Sequence, residues 1–524
     1  MKFNVDFRWG LAVLPLLLMM CALPPLGTPA GPVNPPTPTP IDLNWLFTPQ
    51  KNGSAIGGGA DSLPAATVPP GEATPQIVSP PTISMDAPPL LYYTQAGDTL
   101  SAVIVRFGVL AQEITSPDPL PGEGLLPPGQ LLIIPNRLTA TGDDTHLLPD
   151  SEFVNGPSSV DFDVQAYVAQ AGGYLSTYRE WLQSTGWTSG ADIVARVATE
   201  NSINPRLLLA LLEYRAGWVL GEPQTQAQRD YPLGYQNEHS ADLYHQLVWA
   251  VNQLSIGYYG WREGRLTAIT FDDGHIVHLA PTLNAGTAAL QFFFAVDGQR
   301  AAWQANLDPK TGFIATHERM FGDLQLRARQ VEPLYPHNLE QPPLILPFLR
   351  NQLWALTGGP HGAWEHDGAW AAIDFAPGSV ETGCAETINW VTAAAPGLVV
   401  RSERGVVVID LDGDGYEQTG WTLLYLHIAE KGRVPLGVHV EAGDKIGQPS
   451  CEGGQATGTH VHFARKYNGE WIAADGPVPF VLDGWRVHAG QAAYEGYMTR
   501  GDQYVLASPL GTFDTRIVRT QDDP

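Results

Sequence analysis

Thr459-His460-Val461-His462-Phe463 decides the fold of the C-terminal part of this 524-residue chain. Its β-branched and aromatic residues predict a strand. Side chains two positions apart on a strand point to the same face, so His460 and His462 should enter one cleft together. Further short runs of β-forming residues occupy 398–400, 405–411 and 421–427. We therefore expect a mostly antiparallel β domain over residues 351–490, followed by a C-terminal extension at residues 491–524.

Three more polar side chains accompany this histidine pair. His361 follows a Gly-Gly-Pro stretch, Asp374 stands between two apolar residues, and His427 ends a strand-like run. Two histidines and one aspartate suit catalytic zinc, because three protein ligands leave a fourth position for water. The ion lowers the pKa of that water toward about 7.

The motifs Gly358-Gly359-Pro360-His361 and Gly458-Thr459-His460-Val461-His462-Phe463 resemble those of the lysostaphin-type zinc endopeptidases. The resemblance is strongest to the β-lytic, staphylolytic branch, which reaches its aspartate through a long loop. Many other members place a ligand histidine four residues before the aspartate, where this chain has Trp370. Segments 395–399 and 443–447 match the family as well.

This resemblance implies a role for each matched residue. His361, Asp374 and His462 would bind one zinc ion, with His366 in the same loop as the alternative to His361. His460 and His427 would act on the water and on the oxyanion, since an unligated histidine can move a proton.

The function implied is a secreted peptidoglycan hydrolase, a zinc metalloendopeptidase that cuts cell-wall peptide. The alternative is a non-catalytic wall-binding or regulatory protein. The chain has 29 basic and 54 acidic residues. This balance excludes a nucleic-acid-binding surface, which needs clustered Lys and Arg. The oligomeric state is not predicted.

The N-terminus predicts export and a tether. Residues 1–30 resemble a signal peptide, with an apolar run too short for a comfortable membrane span. Cys21 leaves a lipid anchor open. Residues 31–89 are rich in Pro, Thr, Gly and Ser, which predicts a disordered linker. In an oxidising compartment Cys384 and Cys451 favour a disulfide, with zinc ligation by Cys451 as the alternative.

Residues 90–137 form a separate small module. A strand, a Gly97-Asp98-Thr99-Leu100 turn, two short helices and a Pro-Gly turn before a last strand resemble a LysM domain. The resemblance implies a βααβ fold that binds N-acetylglucosamine-containing chains. A βααβ spacer without that activity is the alternative, because residues 116–124 are inserted before the last strand.

Residues 160–330 show helical periodicity, which begins with a long run over residues 164–182, and predict an all-α domain. A Pro-rich linker follows at 331–350. Asn204-Pro205 predicts a helix start, and Glu213 is the one acidic residue of the apolar helix that follows. The run resembles lysozyme-like transglycosylases and glucosaminidases. Glu213 would then be a general acid of glycan cleavage, or the domain would be an inactive scaffold.

An acidic stretch interrupts the β domain at residues 410–415. Asp410, Asp412 and Asp414 match the front half of an EF-hand loop, but Trp421 occupies the twelfth position, where a bidentate Glu belongs. The alternative to calcium binding is a tight hairpin between the flanking strands, since Asp-Gly is a preferred turn pair.

Overall fold

The computed structural model describes residues 87–138, 140–237, 239–364, 367–378, 382–521 and 523. The predicted signal peptide with Cys21, nearly all of the predicted linker at 31–89 and the alternative ligand His366 lie outside the described residues.

The small module is a two-stranded sheet with one helix. Strands β1 (Leu90–Tyr93) and β2 (Leu131–Ile134) pair antiparallel, and helix α1 spans Leu100–Phe107. The side chain of Thr99 caps α1 by accepting a hydrogen bond from the Ala102 amide. The predicted second helix is a single 3-10 turn, Ala111–Glu113.

The region from Asp150 to Val331 is mostly helical, as predicted. Its helices are α2 (Asp150–Phe153), α3 (Val164–Ala171), α4 (Tyr174–Thr177), α5 (Gly190–Asn201), α6 (Pro205–Ala216), α7 (Gln226–Asp230), α8 (Leu243–Arg262), α9 (Ala285–Ala295), α10 (Arg300–Leu307), α11 (Phe313–Phe321) and α12 (Leu324–Val331). Pro157–Ser159 adds a 3-10 turn.

Two β-hairpins make the all-α prediction wrong in detail. They are β3 (Arg179–Leu182) with β4 (Gly186–Ser189), and β5 (Ala268–Thr270) with β6 (Ile276–His278). The apolar periodicity from residue 164 to 182 suggested one long helix. The helix ends at Ala171 because Gly172 adopts a left-handed conformation, with φ of 69°.

The C-terminal part is an antiparallel β domain, which confirms the predicted class. Its strands are β7 (Leu353–His361), β8 (Ala372–Pro377), β9 (Val391–Thr392), β10 (Gly397–Glu403), β11 (Val406–Asp410), β12 (Trp421–Leu426), β13 (His439–Val440), β14 (Lys445–Gly447), β15 (Val461–Tyr467), β16 (Glu470–Trp471), β17 (Val481–Leu482), β18 (Trp485–Ala489), β19 (Gly496–Arg500), β20 (Gln503–Leu506) and β21 (Arg516–Val518).

The main sheet has the strand order β13-β10-β11-β12-β15-β8-β7-β21, with β16 paired to β15. A second sheet has the order β17-β18-β19-β20, and β9 pairs with β14. Residues 491–524, which the sequence suggested as a separate extension, therefore supply β19, β20 and β21. The last of these extends the main sheet beside β7.

The two faces of the main sheet pack against different partners. Val407 and Tyr425 face a core that also contains Trp485 of the second sheet. Val408 and Leu424, on the opposite face, share one apolar core with the helical region. Because side chains alternate along a strand, Asp374 and His462 lie on that same helix-covered face.

The predicted linker at 331–350 contributes to both cores. Leu334 and Tyr335 are buried with the helical region, whereas Leu346 and Phe348 are buried in the core beneath the other face. A segment that fills two cores is fixed by its packing.

Arg262, at the end of α8, joins three parts of the protein. Its guanidinium binds Glu470 through two hydrogen bonds of 3.0 Å and lies 3.0 Å from Asp150. It also donates to the carbonyl oxygen of Ala96 in the small module. Both carboxylates are buried, and the Arg262 guanidinium compensates their charge.

No helix in the described part of the chain combines the length and apolarity that crossing a bilayer requires.

Candidate metal centre

Strand register brings three predicted ligands together. Asp374 on β8 lies directly opposite His462 on β15 in the antiparallel pairing. His361 ends β7, and its register partner on β8 is Ala372. The β7–β8 pairing is irregular between Leu356 and His361, and such bulges re-aim side chains.

Three atoms of these residues converge on one point. His361 Nε2 lies 2.9 Å from His462 Nδ1, and each of these nitrogens lies 3.4 Å from Asp374 Oδ1. Ligand atoms held at about 2.0–2.1 Å around a tetrahedral ion are about 3.3 Å apart. The spacing therefore suits a small divalent cation.

The other ring nitrogen of each histidine contacts a backbone carbonyl. His361 Nδ1 lies 2.8 Å from the Gly359 oxygen, and His462 Nε2 lies 2.9 Å from the Ala363 oxygen. Donation to these carbonyls leaves the inward nitrogen of each ring as an acceptor. This is the arrangement by which proteins orient histidine ligands.

The surroundings of Asp374 favour a cation at this point. Its Oδ1 is buried without a hydrogen-bond partner. Burial alone would raise the pKa of Asp374, but His361 and His462 outweigh it and hold that pKa well below its usual value. Burial lowers the pKa of His462, while Asp374 overcomes burial at His361 and raises the pKa of that ring. A buried, unsatisfied carboxylate oxygen between two acceptor nitrogens fits a cation.

Both glycines before His361 are required by close packing. A Cβ on Gly358 would lie 2.5 Å from Asp374 Oδ2, and one on Gly359 would lie 2.4 Å from the Glu495 oxygen. The Gly-Gly-Pro motif therefore has a steric reason, because it lets β7 approach the aspartate.

His427 and His460 stand beside the triad. Their ring centroids are 4.5 Å apart, and His460 Nε2 lies 3.8 Å from Asp374 Oδ1. The Nδ1 atoms contact the carbonyl oxygens of Glu452 and Gly458, each at 2.8 Å. Burial, with the neighbouring histidines, lowers the pKa of His427 to about 3, so this ring is neutral at physiological pH.

A disulfide between Cys384 and Cys451 links the segments that orient these two histidines. Glu452, next to Cys451, supplies the carbonyl that fixes His427. Gly383, next to Cys384, accepts the Thr459 amide at 3.0 Å, directly before His460. With its sulfur in the disulfide, Cys451 is not a metal ligand, so the zinc-ligating alternative is wrong.

Tyr494 was not anticipated from the sequence. It lies in the loop between β18 and β19, and its ring stacks on His361 at a centroid distance of 4.1 Å. The Tyr494 amide donates to Pro360, and Gly359 donates to the Tyr494 carbonyl. Its φ of 71° is uncommon for a non-glycine residue, and such conformations cluster at functional sites.

Glu213 lies on α6 in the helical region, away from this cluster in the fold. Its Oε2 accepts the backbone amides of Val219 and Leu220, at 3.0 and 2.9 Å. These contacts fasten the end of α6 to the loop that follows it. They give Glu213 a structural role, which is independent of any glycan chemistry.

The acidic stretch connects β11 to β12, which pair antiparallel, so it is a hairpin loop. The loop covers residues 411–420 and is longer than the predicted tight turn. Asp410, Asp412 and Asp414 are close enough together to hold an ion, but their oxygens accept backbone amides of the same loop. Burial and a hydrogen bond to Asp410 raise the pKa of Asp412 to about 6. The calcium alternative thus has no support.

Comparison with known proteins gives two family matches. Residues 379–474 match the model described as Peptidase family M23. The C-terminal part carries an M23 peptidase domain. The match contains His427, His460 and His462, whereas His361 and Asp374 precede it. Residues 146–334 match the model described as LasA, N-terminal domain.

Relatives extend the match beyond the M23 domain. Protease LasA of Pseudomonas aeruginosa is 28% identical over 372 residues, which cover 66% of this chain and 79% of that protein. The β-lytic metalloendopeptidase of Achromobacter lyticus is 26% identical over 211 residues, or 38% of this chain and 52% of the relative. Pseudoalterin, described as an M23 metalloprotease from the deep sea, is a solved structure with 23% identity, coverage of 32% and 96%, and a TM-score of 0.27.

The M23 match and the β-lytic relative agree with the family resemblance of the motifs. For the helical region, the match is to a LasA N-terminal domain. Neither the lysozyme-like nor the LysM resemblance is shown by these comparisons.

Proposed function

We propose that this protein is a zinc-dependent endopeptidase that cleaves the peptide part of bacterial cell wall. The convergence of His361 Nε2, His462 Nδ1 and the unsatisfied Asp374 Oδ1 carries the proposal. The M23 domain and the metalloendopeptidase relative support the reaction class.

Zinc is the metal that this donor set suits best. Two imidazole nitrogens and one carboxylate oxygen are typical of catalytic zinc sites with an open fourth position. When bound, zinc would polarise the peptide carbonyl and lower the pKa of a water molecule. His361, Asp374 and His462 would hold it, each oriented by strand register or by a backbone carbonyl.

We propose that His460 accepts the proton of the attacking water. Its Nδ1 contacts the Gly458 carbonyl, so Nε2 is the atom that faces the triad. The proton can then pass from Nε2 to the leaving amine. Because burial keeps His427 neutral and its Nδ1 donates to the Glu452 carbonyl, its Nε2 is an acceptor, so His427 would help to hold the attacking water and would not donate to the oxyanion.

We propose peptidoglycan as the substrate and the cell exterior or envelope as the location. The support is the motif resemblance to wall-lytic peptidases and the disulfide, which persists in oxidising compartments. The LysM-like module would add glycan binding. Its strand, helix, turn and strand order agrees with that resemblance.

Metal content and product analysis test this proposal together. Purified protein should hold about one zinc, and peptidoglycan treated with it should gain free amino termini. A chelator should stop the release, and added zinc should restore it. Full lytic activity without bound metal would overturn the proposal, and absence of amino-group release would favour the non-catalytic wall-binding alternative.

Glycan cleavage by Glu213 stays a prediction with its own test. Glu213→Gln keeps the shape of the side chain but removes the acid. A loss of new reducing ends from peptidoglycan, with amino-group release intact, would establish a second activity. We expect no change, because the carboxylate already binds two backbone amides.

A further inference from the structure

A cleft outside the M23 match lies beside the second sheet. It is lined by Tyr504 and Leu506 of β20 and by Phe513, Asp514 and Arg516. Its volume is about 510 Å³. Ligand sites commonly measure about 300–1,000 Å³, so this space suits one or two sugar rings.

The aromatic rings of the cleft are unusually exposed. Tyr504 retains 55% of its accessible surface and Phe513 retains 76%. Large apolar side chains exposed next to one another mark interaction sites more often than isolated ones do. The guanidinium of Arg516 lies 4.9 Å from the centre of the Phe513 ring, so charge and ring form one surface.

The polar groups of this cleft limit its ligand. Asp514 contributes one negative charge and Arg516 one positive charge, so the lining is neutral overall. Arg516 can donate to an amide carbonyl and Asp514 can accept from hydroxyl groups. A pyranose offers apolar faces for the rings and a rim of hydroxyls, and an N-acetyl group adds the carbonyl. Teichoic acids and anionic lipids would need a positively charged surface instead.

Two features relate the cleft to the candidate metal centre. Tyr504, Tyr497 and His488 form a row of rings across β20, β19 and β18, with centroid distances of 5.1 and 4.7 Å. The loop between β18 and β19 carries Tyr494, which stacks on His361.

Strand β7 makes the second link. Arg516 pairs with Ala355 on this strand, and His361 is six residues further on. Six residues of strand span about 20 Å. An extended peptide of about six residues covers the same distance. The separation along β7 is therefore within the reach of one wall polymer.

We infer that this cleft is a binding site for the N-acetylated glycan strand of the wall, which holds the polymer while its peptide lies at the metal centre. The inference deepens the proposed function and rests on it. It assigns recognition of the glycan to residues 504–516 and cleavage of the peptide to the candidate metal centre.

Hydroxyl-radical footprinting of the full chain tests the site directly. The probe is the N-acetylglucosamine tetrasaccharide, raised to about 10 mM. Radical labelling of Tyr504 and Phe513 should fall roughly threefold as the sugar covers the rings. Tyr416 is the internal control, because it is 44% exposed in the 411–420 loop and should label equally with and without sugar.

Unchanged labelling of both rings at the highest sugar concentration would overturn the inference. Protection by a glycan-free wall peptide, but not by the sugar, would overturn it in favour of a peptide site. The labelling does not require catalysis. Its outcome is therefore independent of the chelator-sensitive release of amino groups, which tests the proposed function.

A variant measures the contribution of the cleft to wall binding. In a His460→Ala background, Tyr504→Ala with Phe513→Ala should reduce retention on insoluble peptidoglycan about tenfold, and Tyr416→Ala should not. Retention equal to that of the Tyr416 control would contradict the inference. Phe513→Ser alone serves if the double variant does not fold.

Discussion

Two clusters of potential metal ligands lie in the same β domain, and they differ in how their oxygens and nitrogens are satisfied. His361, Asp374 and His462 are buried, and Asp374 Oδ1 has no hydrogen-bond partner. Asp412 and Asp414 are exposed, and their carboxylates bind amides of their own loop. Proximity of ligand atoms is common to both clusters, so it does not identify a metal site. In the first cluster a buried carboxylate oxygen without a partner also lies beside two histidine nitrogens, and this combination favours the proposed cation.

Asp374→Asn should produce the largest effect, because it removes one proposed ligand of the first cluster. The substitution keeps the shape but removes the charge that holds the cation. Bound zinc should be lost and peptidoglycan cleavage should fall by roughly 10³-fold. Metal analysis and release of amino groups measure the two effects. Asp412→Asn is the matched control and should change neither; zinc retained by the Asp374 variant would refute the assignment.

His460→Ala should separate chemistry from metal binding. Loss of a general base costs about 10²–10⁴-fold in rate, while the three ligands stay in place. We expect zinc content close to that of the wild type and an unchanged melting temperature. His439→Ala, in an exposed histidine of β13, is the control. Loss of zinc in His460→Ala would instead make His460 a ligand.

Removal of the disulfide tests how rigidly the first cluster is held. Cys384→Ser with Cys451→Ser should lower the free energy of unfolding by about 2–4 kcal/mol, measured by denaturant titration. Activity should fall as well, because the residues next to the two cysteines orient His427 and hold Thr459, which precedes His460. Stability lowered with full activity retained would mean that the strands alone orient both histidines.

Asp412→Asn should stabilise the protein slightly, whereas loss of a metal ligand would destabilise it. Because the folded-state pKa of Asp412 is raised to about 6, folding favours its protonated form. That contribution is present at low pH and is lost as the pH rises through about 6. The Asp412→Asn substitution should therefore raise the melting temperature by about 1 °C at pH 7.5 and by less at pH 5. A fall in melting temperature, or a calcium-dependent rise in the wild type, would restore the calcium alternative.

The strands of the metal centre were predictable because their signals are local. The alternation in Thr459–Phe463 and the apolar neighbours of Asp374 reveal strands, and strand register then brings Asp374 opposite His462. The glycines before His361 match the family motif. The steric need for glycine is visible only in the structure, where they pack against Asp374 and Glu495.

Tyr494 and the β3–β4 hairpin show where sequence reasoning fails. Tyr494 reaches His361 through a loop far along the chain, and no local periodicity marks that contact. In the hairpin, apolar spacing continued past Ala171, although Gly172, Gly173 and Gly186 were visible as breakers. Tertiary packing decided the position of Tyr494, whereas a local glycine ended the helix before the hairpin. The strands were therefore easier to predict than the side chains that complete the site.

Arg262 limits where recombination can divide this chain. Recombination that exchanged the M23 domain alone would remove Glu470 from Arg262, which would keep Asp150 and the Ala96 carbonyl as partners. It would also expose the apolar face that the sheet shares with the helices. Natural variation and protein engineering should therefore treat residues 87–523 as one exchangeable unit, with freedom to add or remove modules only at its ends.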